Sequence, residues 1–170
     1  MRTPERNHGL RIVVSDLLRR PGSQRDEERQ AFFDDVAITG SAVGPGDPVR
    51  LALHLESVND GIILTGQATA TWTGECRRCL RPVTGILSAD LLEVFEPHPA
   101  EGETQLLEGA HIDVEPVARE AALLGLPLAP LCRADCPGLC PTCGVDLSDG
   151  TCSCAPEVVD HRWAALDELR

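Results

Sequence analysis

Eight cysteines are the residues of this 170-residue chain whose type and spacing point most directly to chemistry. Six of them, Cys132, Cys136, Cys140, Cys143, Cys152 and Cys154, lie in "CRADCPGLCPTCGVDLSDGTCSC". Cys76 and Cys79 sit far upstream in "ECRRCLRP". A tetrahedral metal thiolate centre needs sulfurs about 3.5–4 Å apart around one ion. C-x-x-C in a tight turn supplies such a pair, and Cys76/Cys79 and Cys140/Cys143 are both of this kind. Cys152-Ser-Cys154 also qualifies, because residues i and i+2 of an extended segment face the same way. Cys132 and Cys136 are spaced for one helical turn or a wider loop.

The simplest partition is local. Cys140, Cys143, Cys152 and Cys154 enclose "GVDLSDGT", whose Asp149-Gly150 would turn a miniature zinc ribbon. Cys76, Cys79, Cys132 and Cys136 would form a second tetrad, stapling the C-terminal segment to an upstream turn. A rival partition sets Cys76 and Cys79 with Cys140 and Cys143. The spacing predicts structural zinc, two ions in number; iron–sulfur clusters and disulfides are the alternative uses of such sulfurs. Four thiolates close a coordination shell, whereas hydrolytic zinc keeps a position open for water. The five histidines (His8, His54, His98, His111 and His161) are scattered, and no phosphate-binding, nucleophile-elbow or dinucleotide motif is present. No enzyme is expected.

The elements that must position these sulfurs can be read from the patterning. "LRIVV" (10–14) is a short strand candidate, and "RRPGSQRDEER" (19–29) a polar loop leading to a short helix or arm. "AFFDDVAIT" (31–39) is a second strand candidate, followed by the turn-rich stretch 40–48. Val49, Leu51, Leu53 and Leu55 alternate with polar or small residues, the period of a half-buried strand. "NDG" (59–61) predicts a hairpin turn. The strand 62–72 then returns, with Ile62, Leu64, Ala68, Ala70 and Trp72 on one face. A third long strand follows at 83–97, so Cys76 and Cys79 form the tip between the last two strands. Residues 98–110 read as an acidic loop, and 113–125 as a helix with early acids, Pro116 and a closing Gly125. "LPLAPL" (126–131) is extended, and 160–170 is a short terminal helix carrying Trp163, Leu166 and Leu169. The fold class is α+β: an antiparallel β-meander sheet, one or two helices and a C-terminal zinc-ribbon-like segment. We divide the chain into an N-terminal strand and Arg-rich arm (1–30), the sheet plus helix (31–125), and the zinc-binding segment with C-terminal helix (126–170), packed as one unit with the sheet.

Charge bounds the partners. The net charge is −12, and residues 82–170 alone hold sixteen acids against four arginines. Such a balance disfavours unaided binding to a phosphate backbone. Five aromatic residues cannot furnish a stacking platform for single-stranded nucleic acid. Arg19, Arg20 and Arg25 in the N-terminal segment, with Arg77 and Arg78 between the first cysteine pair, are the candidate contacts for RNA or another partner. Arg77, Arg78, Arg81 and Arg133 are equally suited to balancing thiolate charge. The N-terminus lacks an apolar run of signal-peptide length, and no stretch approaches a membrane span. A cytoplasmic protein with no membrane partner and no small-molecule substrate is expected.

"GECRRCLRPV" (74–83), "LPLAPLCRADCPGLCPTCGVDLSDGTCSC" (126–154) and "DHRWAALDEL" (160–169) closely resemble the YceD family of large-ribosomal-RNA-subunit accumulation proteins. "RRPGS" (19–23) is similar to the N-terminal signature of its actinobacterial members. The likeness spans residues 10–169, with His161 where the family usually has Pro. It implies a cytoplasmic ribosome biogenesis factor supporting accumulation of 23S rRNA, with no enzyme activity; with the acidic charge beyond residue 81, a ribosomal protein or pre-ribosomal particle of the large subunit is the expected partner. Direct rRNA contact, and a zinc- or redox-sensing regulatory role, are the alternatives.

Overall fold

The computed structural model describes residues 8–154. The predicted helix at 160–170, and Trp163 with it, lies outside the described residues. The framework is β5 (Val49–Val58), β6 (Gly61–Glu75) and β7 (Pro82–Glu96), three antiparallel strands in sequence order. Along β5, Val49, Leu51, Leu53 and Leu55 are buried while Arg50 and Ala52 are exposed, as their alternation dictates. Asn59 and Asp60 form the two-residue link into β6. β6 and β7 keep one unbroken register from Ile62↔Phe95 to Glu75↔Pro82. That register sets the tip of the hairpin at residues 76–81.

Because β6 is longer than β5, its far half needs another neighbour. β4 (Ser41–Val43) supplies it by pairing with Trp72–Gly74, and β3 (Ala37–Ile38) pairs with β4. The stretch read as one strand over 31–39 is instead mostly loop, with Phe33 and Val36 turned into the core. β2 (Gln24–Ala31) pairs along β5 from Gln24↔Glu56 to Ala31↔Val49. This corrects the loop or arm expected over residues 19–29. β2 hides from apolar patterning because its core-side positions are charged. Arg25 and Glu27 pair at 2.7 Å, and Arg29 also pairs with Glu27, so their aliphatic stems cover the leucines of β5 without unpaired charge.

The pure antiparallel meander is also corrected, because the sheet is mixed. After β7, residues 97–104 loop the chain back beside the end of β7 so that it resumes the same direction, held by Thr104, whose Oγ1 donates to Glu96 Oε1 (2.6 Å) and accepts from the Ala100 amide (2.8 Å). β8 (Gln105–Glu108) then meets β7 in parallel, at Phe95↔Gln105 and Glu96↔Leu106. β9 (His111–Asp113) pairs antiparallel with β8, and β1 (Arg11–Val13) with β9. Strand β8 lies in what reads as an acidic loop over residues 98–110, and β9 falls at the junction between that loop and the stretch read as a helix.

Helix α1 (Glu115–Leu124) starts where Asp113 Oδ1 accepts the Glu115 amide at 3.0 Å, with Pro116 in its first turn. Val117, Ala118, Ala121 and Ala122 form its buried face. Three alanines let the helix lie close to the sheet, and a side chain at Gly125 would stand 3.3 Å from the Ala89 methyl. Phe33, Phe95, Leu10, Leu51, Leu55, Ile62, Leu64, Leu87 and Ile112 fill the core, each burial contributing roughly 1.5–3 kcal/mol. Beyond α1, Pro127 C=O accepts from Ser41 Oγ (2.9 Å) and Pro130 C=O from the Arg77 amide (2.9 Å). The extended proline segment thus carries the chain from helix to hairpin tip, and delivers the C-terminal cysteines there.

Candidate metal centres

Cys76 closes β6, and the turn after it is a knuckle. The Cys76 amide donates to Arg81 C=O (2.8 Å), and the Leu80 amide donates back to Cys76 C=O (2.8 Å). Closing so small a loop forces Leu80 to φ +61°, the one non-glycine residue at positive φ among the described residues. The same device recurs downstream. The Cys140 amide donates to Val145 C=O (2.8 Å), the Gly144 amide to Cys140 C=O (2.9 Å), and Gly144 takes φ +73°. Each knuckle turns its two sulfurs and several amides toward one point.

The sulfurs gather into two sets, Cys76/Cys79/Cys132/Cys136 and Cys140/Cys143/Cys152/Cys154, each within 4.8 Å of one another. This is the local partition; the rival grouping of Cys76 and Cys79 with Cys140 and Cys143 is not the one seen. In the first set Cys76 and Cys136 sulfurs lie 3.9 Å apart, and those of Cys79 and Cys132 3.7 Å. In the second, Cys140 and Cys152 are at 3.4 Å. A tetrahedron with metal–sulfur bonds of ~2.3 Å has edges of roughly 3.8 Å. Spacing and donor chemistry both fit one four-coordinate ion per set.

The two sets differ in shielding. Cys76, Cys79 and Cys136 are buried and cluster with Val83, Leu131 and Leu139, while in the second set only Cys140 is buried. Electrostatics within each set follow the amides. The Cys132 amide, then those of Cys79 and Arg78, holds the Cys76 thiol down to about 6. The Cys143 and Thr142 amides do the same for Cys140, also to about 6. Once one sulfur per set is a thiolate its neighbours resist ionising. Cys132 is pushed up to about 12 by the Cys136 sulfur and by burial, and Cys154 to about 12 by the Cys143 sulfur and by burial. Such a set holds its remaining protons until a cation replaces them.

The arginines divide. Arg78 is exposed, and its Nη1 donates to Cys136 C=O (2.9 Å) and Ala134 C=O (3.2 Å) across the first set. Arg81 reaches from the first knuckle to the second set's ribbon, pairing with Asp146 (2.8 Å) and Asp149 (2.5 Å). Arg133 pairs with Asp135 at 3.3 Å. Arg25 is engaged by Asp16 (2.8 Å), Glu27 and Val13 C=O (2.7 Å). Arg19, Arg20 and Arg77 are exposed. These do not form one patch. The Gly22 amide bonds Ser57 C=O, which puts the Arg19–Arg20 turn beside the β5–β6 link, roughly 50 Å along the β6 direction from Arg77 at ~3.3 Å per residue.

Sequence reading missed Leu80 and the Arg81–Asp146–Asp149 clasp. The first has a signal, since the residue after the second cysteine of a C-x-x-C knuckle takes the left-handed conformation, as Gly144 shows. The clasp has none, because it joins residues that only the fold brings together.

Residues 64–170, which hold all eight cysteines, match the family model described as "Large ribosomal RNA subunit accumulation protein YceD". Uncharacterized proteins of Mycobacterium bovis and Mycobacterium tuberculosis are each 41% identical over 168 residues, covering 94% of this chain and 81% of theirs. An uncharacterized protein of Mycobacterium leprae is 38% identical over 134 residues, 73% of this chain and 60% of its own. No solved structure matches the chain. No helix among the described residues is long and apolar enough to cross a membrane. With the family model spanning well over half its length, the chain belongs to the YceD family of large ribosomal RNA subunit accumulation proteins.

Proposed function

We propose that the protein is a non-catalytic, cytoplasmic factor of large-subunit assembly, which supports 23S rRNA accumulation by binding a ribosomal protein or a pre-ribosomal RNA–protein intermediate. Two structural zinc ions, one on Cys76, Cys79, Cys132 and Cys136 and one on Cys140, Cys143, Cys152 and Cys154, hold the C-terminal segment on the hairpin tip. The observation that carries the choice of partner is charge: sixteen acids against four arginines beyond residue 81. An acidic surface complements a basic ribosomal protein and shields it until rRNA displaces the factor. Affinity purification of the tagged protein from growing cells, with RNA and protein both identified, tests this reading. Recovery of large-subunit proteins supports it. Tight binding of purified protein to naked 23S fragments at physiological salt, with no basic ribosomal protein bound, overturns it.

A second reading, direct RNA binding, draws on the exposure of Arg19, Arg20 and Arg77. It requires affinity that falls steeply with salt and drops in R19A/R20A or R77A. Unchanged RNA affinity in both variants removes it.

A further inference from the structure

The sheet has two long strands with an open side, and they are built in opposite ways. Among the described residues β2 meets only β5, and five of its eight residues are charged (Arg25, Asp26, Glu27, Glu28 and Arg29). A charge-dense edge resists pairing with another chain. β7 bonds β6 along its whole length, but on its other side meets only β8, at Phe95 and Glu96. From Thr84 to Val94 that side has no backbone partner among the described residues. This stretch, "TGILSADLLEV", contains no Lys, Arg or Pro, and its register with β6 has no bulge. The usual protections of a free edge are missing.

The side chains along that edge carry a second signal. Leu87 and Leu91 point into the core, at 2% and 4% exposure. Ile86 and Leu92 stand on the opposite, solvent-facing side of the strand at 78% and 71%. Large apolar residues this exposed on an unpaired strand need a cover.

The geometry points to a second copy of this chain as that cover: β7 pairs antiparallel with β7 about a two-fold axis through Ala89, making one continuous sheet across a homodimer. Ala89 is the midpoint of the free stretch from Thr84 to Val94, so this register uses all of it and stops short of β8. It sets Ile86 opposite Leu92 of the second copy, twice over, on the solvent-facing side. Asp90 meets a serine at 88, Glu93 meets a glycine at 85, and no two acids face each other. Shifting the axis one residue along brings either Ile86 opposite Asp90 or Asp90 opposite itself, both worse pairs. On the core side, Gly125 packs against Ala89, so the 79% exposed Leu124 of each copy stands close to the axis. A basic extended segment fits this edge less well, because two acids in eleven residues give it little to bind while Ile86 and Leu92 would lie beside its charges.

Light scattering on the zinc-loaded full chain tests the inference. Wild type is expected at twice the 18.3 kDa of one chain. I86K/L92K sets lysine against lysine in both pairs and is expected to be monomeric, with unchanged circular dichroism because both sites are exposed. I86K/L92E sets lysine against glutamate and is expected to recover the dimer. A monomeric wild type, as when residues beyond 154 or a basic partner cover the edge, overturns the proposal. So does a dimer that survives I86K/L92K, and so does an I86K/L92E variant that stays monomeric.

Discussion

Arg81 and Asp146 join the two cysteine sets: the arginine Nε of the first knuckle donates to the Asp146 carboxylate of the second set's ribbon at 2.8 Å. Asp146 is prepared for this contact. The Ser148 amide, bonded to its Oδ1 at 2.8 Å, and then Arg81 hold its carboxyl below the usual range. The Asp149 contact at 2.5 Å makes the guanidinium a clasp over the ribbon's turn. Arg81→Ala should cost about 1 kcal/mol or less in global stability, since the arginine side chain is 45% exposed. Its larger effect should be kinetic, with a chelator stripping metal from the second set severalfold faster. Rates equal to wild type would leave the clasp without a role in holding the ribbon.

Burial predicts the order of metal loss. Three of the four sulfurs in the first set are buried, against one in the second. Zinc content should be two per chain, falling to one in Cys143→Ser. Under chelator or peroxide the second set should empty and oxidise first, because attack follows exposure of the thiolates. Cys76→Ser should also lower the melting temperature more than Cys143→Ser. The first set ties strand β6 to residues 132–136, whereas the second closes only a local loop. Equal release from both sets, read by a chromogenic chelator, would contradict this order, and release from neither under peroxide would also remove a redox-sensing role.

Much of the site was legible because thiolate chemistry is local. C-x-x-C and C-x-C fix which sulfurs lie side by side, and the ribbon of Cys140 to Cys154 needs only a short turn. The three long strands were legible for a similar reason, since Leu51, Leu53 and Leu55 must alternate to bury one face. β2 was not, because Arg25, Glu27 and Arg29 solve burial by pairing with each other. β8 and β9 are too short for a period to show, and the parallel contact of β8 depends on Thr104 closing a loop onto Glu96. The clasp of Arg81 and the open edge of β7 both depend on which strands become neighbours, a property of topology rather than pattern.

Thiol ionisation gives the metal-free fold a stability maximum in pH. Cys76 and Cys140, lowered from the usual 9.0 to about 6 by backbone amides, favour the thiolate in the folded state. Their contribution is fully present above pH 9 and is lost as pH falls through about 6. Cys132 and Cys154, raised to about 12, favour the neutral thiol. Their contribution is present below pH 9 and is lost as pH rises toward 12. Reduced, chelator-treated protein should therefore gain stability from pH 6 to 9 and lose it above. Urea midpoints across this range check the curve. Zinc added near pH 7 should release protons, those of Cys132 and Cys154 among them, which calorimetry in two buffers of different ionisation enthalpy reads directly. Zinc binding without proton release would show that the sulfurs do not start as this mixture.

The paired knuckles supply a matched test of backbone strain. Leu80 and Gly144 occupy the same position, at φ +61° and +73°, but only the glycine takes that conformation freely. A Cβ at position 144 would meet nothing within 4 Å, so the penalty of adding one there is conformational rather than steric crowding. Gly144→Leu should destabilise the second set by about 1–2 kcal/mol, the cost of a left-handed residue bearing a Cβ. Leu80→Gly removes the same strain at an exposed position, but restores about 0.5–1 kcal/mol of unfolded-chain entropy. Its net effect should be stabilising by less than about 1 kcal/mol. Denaturant unfolding of both zinc-loaded variants decides the matter. A strongly destabilised Leu80→Gly would mean that the leucine side chain, and not the turn it bends, is what the first knuckle requires.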